Sequence, residues 1–511
     1  MADVRRMVVV VVAAVAIVVR VAPLLRGGGL LFWGRYDDGV YFTASASLLA
    51  GRVPYREFVL LHPPLIMLLL LPFTLLGRLT SDPTGLLAAR LTWVLLGTLT
   101  AVLAARFAGR WGTSAALVAG LWVACSASAS YASQTTFIEP AADLALFGAV
   151  ALLSCDHERP RHELAGGVLL GIALAGKIWY VVPVAAVLLV LLAGTRRGVS
   201  LRTIARAAGA AAVTATAILL PFFALAPRAM WRMVVLDQLS RPRTGKTALL
   251  DRLGTAIGGR ALGLPTTASQ VVAVVATVAF AVGAAACLLD ARARMIGAVA
   301  VGCVGVLLLS PVVFHHYGDY TAAPVAATVA IGWSMVGRGL AGRLGGAGVP
   351  LRRIGAAVAV LVVAAGGVSV AGHPLGRTFP RASLTARLPA GCITADDPTT
   401  LVLANRLSSD LRHGCAVAVD VTGASYGASV GRGRDVAYLD WLHAYLRSGA
   451  GAILARRGHD GLPPGAATTL GAPAYTERYL HVLVPEAAGS ARHRHSSGSP
   501  TPGPSRTRRA G

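Results

Sequence analysis

Charge is what this chain is short of. Only 14% of its 511 residues are charged, whereas a soluble protein of ordinary composition carries about 25%. Hydrophobic residues make up 55%, and the mean hydropathy is +0.64. A water-soluble globule is excluded, and the many apolar runs approach the roughly 20 residues that span a bilayer as a helix. Six cysteines make no metal pattern. Cys125, Cys287 and Cys303 sit in apolar runs and Cys155 at a helix end, as small buried hydrophobes do. No convincing small-x-small cleavage site follows Arg5-Arg6 and the apolar run from Met7 to Val19, so the N-terminus reads as an uncleaved first helix, with Arg20 snorkelling toward the far interface. No soluble-type internal repeat is present.

The net charge of +24 is not a nucleic-acid footprint, because the arginines gather in short loops and in the tail. There they act as orientation signals and contacts to anionic lipid head groups. Eleven membrane helices are expected, near 7–25, 87–105, 113–130, 140–154, 164–176, 179–193, 207–226, 269–289, 295–313, 320–336 and 354–372. This puts the N-terminus in the cytoplasm and the C-terminus outside. Every inside loop is then basic: Arg106 and Arg110; Arg159 and Arg161; Arg196, Arg197, Arg202 and Arg206; Arg292 and Arg294; Arg338, Arg343, Arg352 and Arg353. The apolar stretch Leu65 to Leu76 is too short to span, so 26–86 reads as one external loop with two surface helices, near 38–50 and 64–77. Residues 1–372 are thus a transmembrane domain and 373–487 a small extracytoplasmic α/β domain. In that domain strands are expected at Gly391–Asp397, Ala416–Val421 and Tyr479–Val484, and helices at Pro398–Arg412 and Asp435–Arg447. Residues 488–511 read as a disordered basic tail. Cys392 and Cys415 stand apart in the polar region and could pair as a disulfide outside the cytoplasm.

Polar residues crowd the first external loop: Arg35-Tyr36-Asp37-Asp38-Gly39-Val40-Tyr41, then Tyr55-Arg56-Glu57-Phe58 and His62-Pro63-Pro64. Such groups are costly next to lipid and point to a reaction site. Asp37 or Asp38 could take the proton of an attacking hydroxyl, and two adjacent carboxylates also suit a divalent cation. Asp38 could equally cap the helix that follows. Further external clusters are Glu139-Pro140, Lys177 in an otherwise apolar stretch, His315-His316-Tyr317-Gly318-Asp319 and the loop Asp237–Lys246. Each has a plain alternative as a cap, an interfacial side chain or a solvated loop. Two adjacent histidines cannot face one way on a regular helix, so zinc is not expected there.

Asp37-Asp38-Gly39-Val40-Tyr41 followed by His62-Pro63-Pro64 before a short apolar helix resembles the GT-C superfamily of membrane glycosyltransferases. Protein O-mannosyltransferases and the lipid A aminoarabinose transferase share that layout, with Asp38 standing where the family pattern has Glu. The ordered set Asp-Asp-Gly-Val-Tyr, Pro54-Tyr55-Arg56-Glu57-Phe58, His315-His316-Tyr317-Gly318 and Thr394-Ala395-Asp396-Asp397-Pro398 is similar to multi-pass proteins of actinobacteria. The resemblance implies a sugar on a polyprenyl phosphate as donor, a cell-envelope glycan, glycolipid or protein as acceptor, and reaction at the outer face of the cytoplasmic membrane. It implies Asp37 as base with Asp38 beside it. Arg56, His62, Lys177, His315 and His316 would hold the phosphate, and Glu139, Tyr41 and Asp319 would orient the acceptor. Asp38 and Glu139 are candidates for a divalent metal, Mg or Mn, whose need the resemblance leaves open. A transporter or flippase of lipid-linked sugars and a non-catalytic envelope-assembly protein are the competing classes. A transporter favours paired repeats and polar residues at mid-membrane; neither is clear here.

Overall fold

The computed structural model describes residues 2–154, 159–241, 249–258, 266–344, 348–426, 432–456, 473–477 and 479–484. In chain order the helices are α1 (Ala2–Leu24), α2 (Tyr36–Leu49), α3 (Leu65–Leu79), α4 (Asp82–Ala108), α5 (Thr113–Cys125), α6 (Ala127–Ser133), α7 (Glu139–Leu153), α8 (Pro160–Leu174), α9 (Val181–Ala193) and α10 (Leu201–Leu225). Next, α11 (Pro227–Trp231) runs through a π turn at Arg232–Leu236 into α12 (Asp237–Leu239), followed by α13 (Leu249–Ile257), α14 (Thr266–Leu289), α15 (Arg294–Leu309), α16 (Asp319–Leu344) and α17 (Gly348–Gly372). The C-terminal region holds α18 (Arg381–Thr385), β1 (Ile393–Ala395), α19 (Pro398–Leu403), α20 (Leu407–Arg412), α21 (Val436–Arg447), β2 (Gly451–Leu454), β3 (Tyr475–Glu477) and β4 (Leu480–Leu483). Cys155, the loop 242–246 and the tail 488–511 lie outside the described residues.

The chain divides into two compact units. One comprises residues 1–27, 90–219 and 242–375, and the other 28–89, 220–241 and 376–511. The first is a helical bundle around one apolar cluster rich in alanine and valine. Small residues set its closest helix contacts. A Cβ on Gly167 would fall 2.3 Å from the Ala207 carbonyl oxygen, and one on Gly171 would fall 2.6 Å from that of Ala211, so α8 and α10 pack nearly backbone to backbone, as small residues allow between membrane helices. Among the described residues five helices are long and apolar enough to cross a membrane: Asp3–Leu24, Asp82–Trp111, Ile178–Arg196, Leu201–Leu225 and Thr266–Leu289. α5 and α6, bent by 57° at Ser126, would make a sixth as one broken span. The Ser126 hydroxyl accepts the Ala129 N–H there at 3.4 Å and caps α6. α7, α8 and α15 occupy three more expected spans with 15, 15 and 16 residues.

Arg20 does not snorkel. It is fully buried, donating from Nε to the Ser133 hydroxyl at 2.8 Å and from Nη1 and Nη2 to the carbonyls of Ala124 and Val123 at 2.9 and 3.2 Å. The break between α5 and α6 explains this, since the open carbonyls before Ser126 need donors.

In the second unit α2 occupies the stretch read as a surface helix, and Asp38 through Ser47 are all buried in it. It packs against α3, α19 and α20. A Cβ at Gly39 would lie 2.3 Å from the Thr399 backbone nitrogen, so only glycine permits this approach of α2 to α19. The sheet has strand order β1-β2-β4-β3, with β1 parallel to β2 and the other pairs antiparallel. Cys392 and Cys415 form a disulfide with Cα atoms 5.6 Å apart.

Three local expectations change. Ala416–Val421 is not a strand. Val417, Val419 and Val421 are buried in alternation, but alternation reports a buried face and not a paired backbone. The parallel neighbour of β1 is β2, at Gly451–Leu454, a strand not expected from the sequence. The helix expected over Pro398–Arg412 is two helices, because Asn405 takes a left-handed φ of +57° and ends α19. α13, in the loop after the π turn, was not anticipated.

Candidate active site

α2 begins after Arg35, whose extended backbone (φ −126°, ψ 100°) makes it the N-cap, with no side-chain cap bond. Asp37 and Asp38 therefore stand inside the first turn and not at the cap, where their charge is favoured by the positive end of the helix. They differ in access: Asp38 is fully buried and Asp37 half-buried.

The C-terminal segment closes around this turn. The Tyr36 hydroxyl donates to Asp420 Oδ1 at 2.9 Å and accepts the Thr422 N–H at 2.8 Å. The Arg456 guanidinium lies 3.7 Å over the Tyr36 ring and donates to the Thr422 hydroxyl at 2.6 Å. Asp396 accepts the N–H groups of Ala455 and Arg456 at 2.7 and 2.9 Å. Asp397 accepts from Trp33 Nε1 at 3.0 Å and caps α19 through the Thr399 N–H at 2.9 Å. Burial pushes the Asp396 carboxyl up to about 7, against the pull of those two N–H groups and of Arg456. Burial likewise raises Asp397 and Asp420. For Arg456 burial works against the charge, but Tyr36, Asp397, Asp396 and Asp37 outweigh it and the pKa rises.

His62 sits at the entrance of α3, half-buried, its ring edge-on to Tyr41 at 5.9 Å. Its carbonyl accepts the Tyr55 hydroxyl at 2.8 Å, and the preceding carbonyl, of Leu61, accepts Gln238 Nε2 at 2.8 Å. Tyr55 is held at φ +65°, a left-handed conformation that a bulky residue adopts only when its surroundings enforce it. Arg56, at the tip of that turn, is exposed, and the described residues do not gather it with His62.

In the other unit Lys177 Nζ meets Glu139 Oε1 at 2.8 Å, both side chains under 5% exposed. The ammonium also lies 3.9 Å from the Trp179 ring and 4.1 Å from the Tyr317 ring. His316 packs on Phe137 at 4.4 Å and edge-on to Tyr317 at 4.6 Å, and its charge acts on Glu139. His315 Nδ1 bonds the Ser128 hydroxyl at 3.0 Å. Asp319 opens α16, buried, and feels the charges of Asp143, Glu139 and Arg20. Asp143 is the polar residue the sequence reading passed over. It is buried one turn after Glu139 and accepts the Tyr180 hydroxyl at 2.6 Å. Two carboxylates at i and i+4 on an otherwise apolar helix were the available signal.

The expected residues thus fall into two sets. Asp37, Asp38, Tyr41, Arg56 and His62 lie in one unit, and Glu139, Lys177, His315, His316 and Asp319 in the other. Asp38 and Glu139 were the metal candidates. Glu139 Oε1 is taken by Lys177, Asp38 is fully buried, and the described residues contain no cluster of three or more His, Cys, Asp or Glu suited to a metal ion.

The model of Glycosyltransferase family 87 matches residues 60–311. No curated protein matches the sequence. Among solved structures, ArnT from Cupriavidus metallidurans in the apo state superposes with TM-score 0.59 at 15% identity, over 95% of this chain and 99% of that one. The same protein bound to undecaprenyl phosphate gives 0.59 at 16% identity and the same coverage. The archaeal oligosaccharyltransferase AglB from Archaeoglobus fulgidus, in complex with an inhibitory peptide and a dolichol-phosphate, gives 0.55 at 10% identity, over 88% of this chain and 69% of that one. The protein therefore has the GT-C fold of membrane glycosyltransferases, and its segment 60–311, which holds His62, Glu139 and Lys177, matches Glycosyltransferase family 87.

Proposed function

We propose that this protein moves a sugar from a polyprenyl-phosphate donor to a hydroxyl of a cell-envelope acceptor, at the outer face of the cytoplasmic membrane. The fold supports the donor class: the two ArnT structures share it over 95% of the chain, and one of them holds undecaprenyl phosphate. The observation that carries the reading is the acidic pair in the first turn of α2, in which one carboxylate is fully buried and its neighbour is accessible. Asp37 is then the base. It takes the proton of the acceptor hydroxyl as the oxygen attacks the anomeric carbon. The bond from that carbon to the phosphate oxygen breaks, and its electron pair leaves on the polyprenyl phosphate. A phosphate departs as a stable anion and needs no general acid, so one carboxylate suffices and the configuration inverts, unlike the paired carboxylates of glycosidases.

Asp38, with no access to a substrate, serves this reading by holding the turn, and His62 packs edge-on to Tyr41 of that same helix, α2. Lys177, His315 and His316 are the candidates for the donor phosphate. Lys177 acts there as one half of an ion pair with Glu139. Arg56 is a solvent-facing contact to lipid head groups or to the donor. No step is routed through a metal.

The Cys392–Cys415 disulfide supports an extracytoplasmic C-terminal segment, because such bonds persist in oxidising compartments. The test is transfer by purified protein in liposomes given a panel of polyprenyl-phosphate sugars. Asp37→Asn should cost about 1,000-fold or more in kcat while the protein still inserts and binds donor. Full transfer by that variant would remove the mechanism.

A further inference from the structure

The sequence motif Thr394-Ala395-Asp396-Asp397-Pro398 and the arginine after β2 have no part in the chemistry above, yet they meet at the first turn of α2. Asp396 takes the backbone N–H groups of both Ala455 and Arg456 and so fixes the point where the chain leaves the sheet. From that point the Arg456 guanidinium reaches over the ring of Tyr36, the residue before Asp37, and its Nη1 reaches the Thr422 hydroxyl. The Thr422 N–H returns to the Tyr36 hydroxyl, which donates to Asp420 Oδ1, and the Gly423 N–H closes onto the same oxygen at 2.7 Å. A guanidinium stacked on an aromatic face and held by a fixed acceptor is preorganised, and its charge cannot wander.

We propose that Arg456 is a positioning residue for the base: it holds Tyr36 and the first turn of α2 and supplies the positive charge that keeps the Asp37 carboxylate ionised and ready to accept a proton. The proposal rests on Asp37 being that base. Its consequence is that residues after 373 complete the reaction loop and are not an accessory acceptor-binding module. Among the described residues, Arg456 and Tyr426 interact electrostatically with Asp37 from other elements, and Arg35 and Asp38 are its neighbours in sequence. Around these, Asp396, Asp397 and Tyr36 act on Arg456, while Arg241, stacked on the Tyr426 ring at 4.8 Å, and Arg432 act on Tyr426. Tyr36 and Tyr426 have their pKa values raised by burial and stay neutral near pH 7, while Arg456 is a cation that acts on Asp37 from outside α2.

The experiment is the pH profile of kcat for wild type, Arg456→Gln and Arg456→Lys, with Asp37→Asn as reference, all as full-length protein in liposomes. Losing an opposite charge makes a carboxylate easier to protonate, so the acid limb of Arg456→Gln should move up by about one pH unit, and lysine should restore most of the shift. A merely structural arginine would lower kcat at every pH and leave the limb in place, and that result overturns the proposal. Should Arg456→Gln fail to insert, Thr422→Val removes the hydroxyl that fixes Nη1 and should move the limb the same way by a smaller amount. An unmoved limb there also overturns it. Asp37→Asn with full transfer defeats the reading of the base. Asp37→Asn without transfer, beside an unmoved limb in the arginine variants, defeats only the role of Arg456.

Discussion

Lys177→Met should destabilise the helical bundle more than Glu139→Gln, and the two together less than their sum. The pair is 2.8 Å long with both side chains under 5% exposed, so each partner left alone is a buried charge. In Lys177→Met, Glu139 is stranded beside Asp143, and its Oε2 has no hydrogen-bond partner among the described residues even in the intact protein. It escapes by taking a proton, which at pH 7 costs an ordinary carboxyl about 4 kcal/mol. In Glu139→Gln, Lys177 would need about 4–5 kcal/mol to give up its proton. It keeps the faces of Trp179 and Tyr317 at 3.9 and 4.1 Å, which offset roughly 2 kcal/mol of that. The expected losses are about 4 and about 2–3 kcal/mol, with about 3 kcal/mol of coupling in the double variant. Unfolding in mixed micelles of rising SDS fraction would give all four corners of the cycle. The loss in Lys177→Met should also shrink as pH falls from 7 to 5, because the stranded carboxyl then protonates at less cost. Additive single losses, or Glu139→Gln being the worse variant, would refute this account.

Two other outcomes follow from the second unit. Burial holds the Asp396 carboxyl up to about 7 in the folded chain against an ordinary value of 3.8. Its contribution to stability is therefore full below about pH 4 and lost as pH rises toward 7, so the thermal midpoint should fall across that range and Asp396→Asn should flatten the slope. Replacing Cys392 and Cys415 with serine opens a loop with a sequence separation of 23 and should cost about 3 kcal/mol, read as earlier unfolding of the C-terminal segment by limited proteolysis.

The sequence alone determined the class of solvent and singled out the candidate polar residues. Low charge and long apolar runs demand a bilayer, because backbone polar groups in lipid must pair within helices. A carboxylate, histidine or lysine inside such a chain is too costly to keep without a task, so Asp37, His62, Glu139 and Lys177 stood out by expense alone. Cys392 and Cys415 could be paired because no other cysteine shares their polar region. What composition and periodicity could not supply was partnership. Periodicity reports which face of a segment is buried and never by what, which is why Ala416–Val421 read as a strand and β2 went unseen. A lone arginine such as Arg20 looked like an interface anchor because the broken helix that offers it carbonyls is more than 100 residues away. Only the tertiary structure decided that Lys177 answers Glu139, that Asp38 is interior while Asp37 has access, and that Arg456 lies on Tyr36. Charge and hydrogen-bond energies fall within a few ångströms, and proximity of that kind between distant parts of one chain is set by folding.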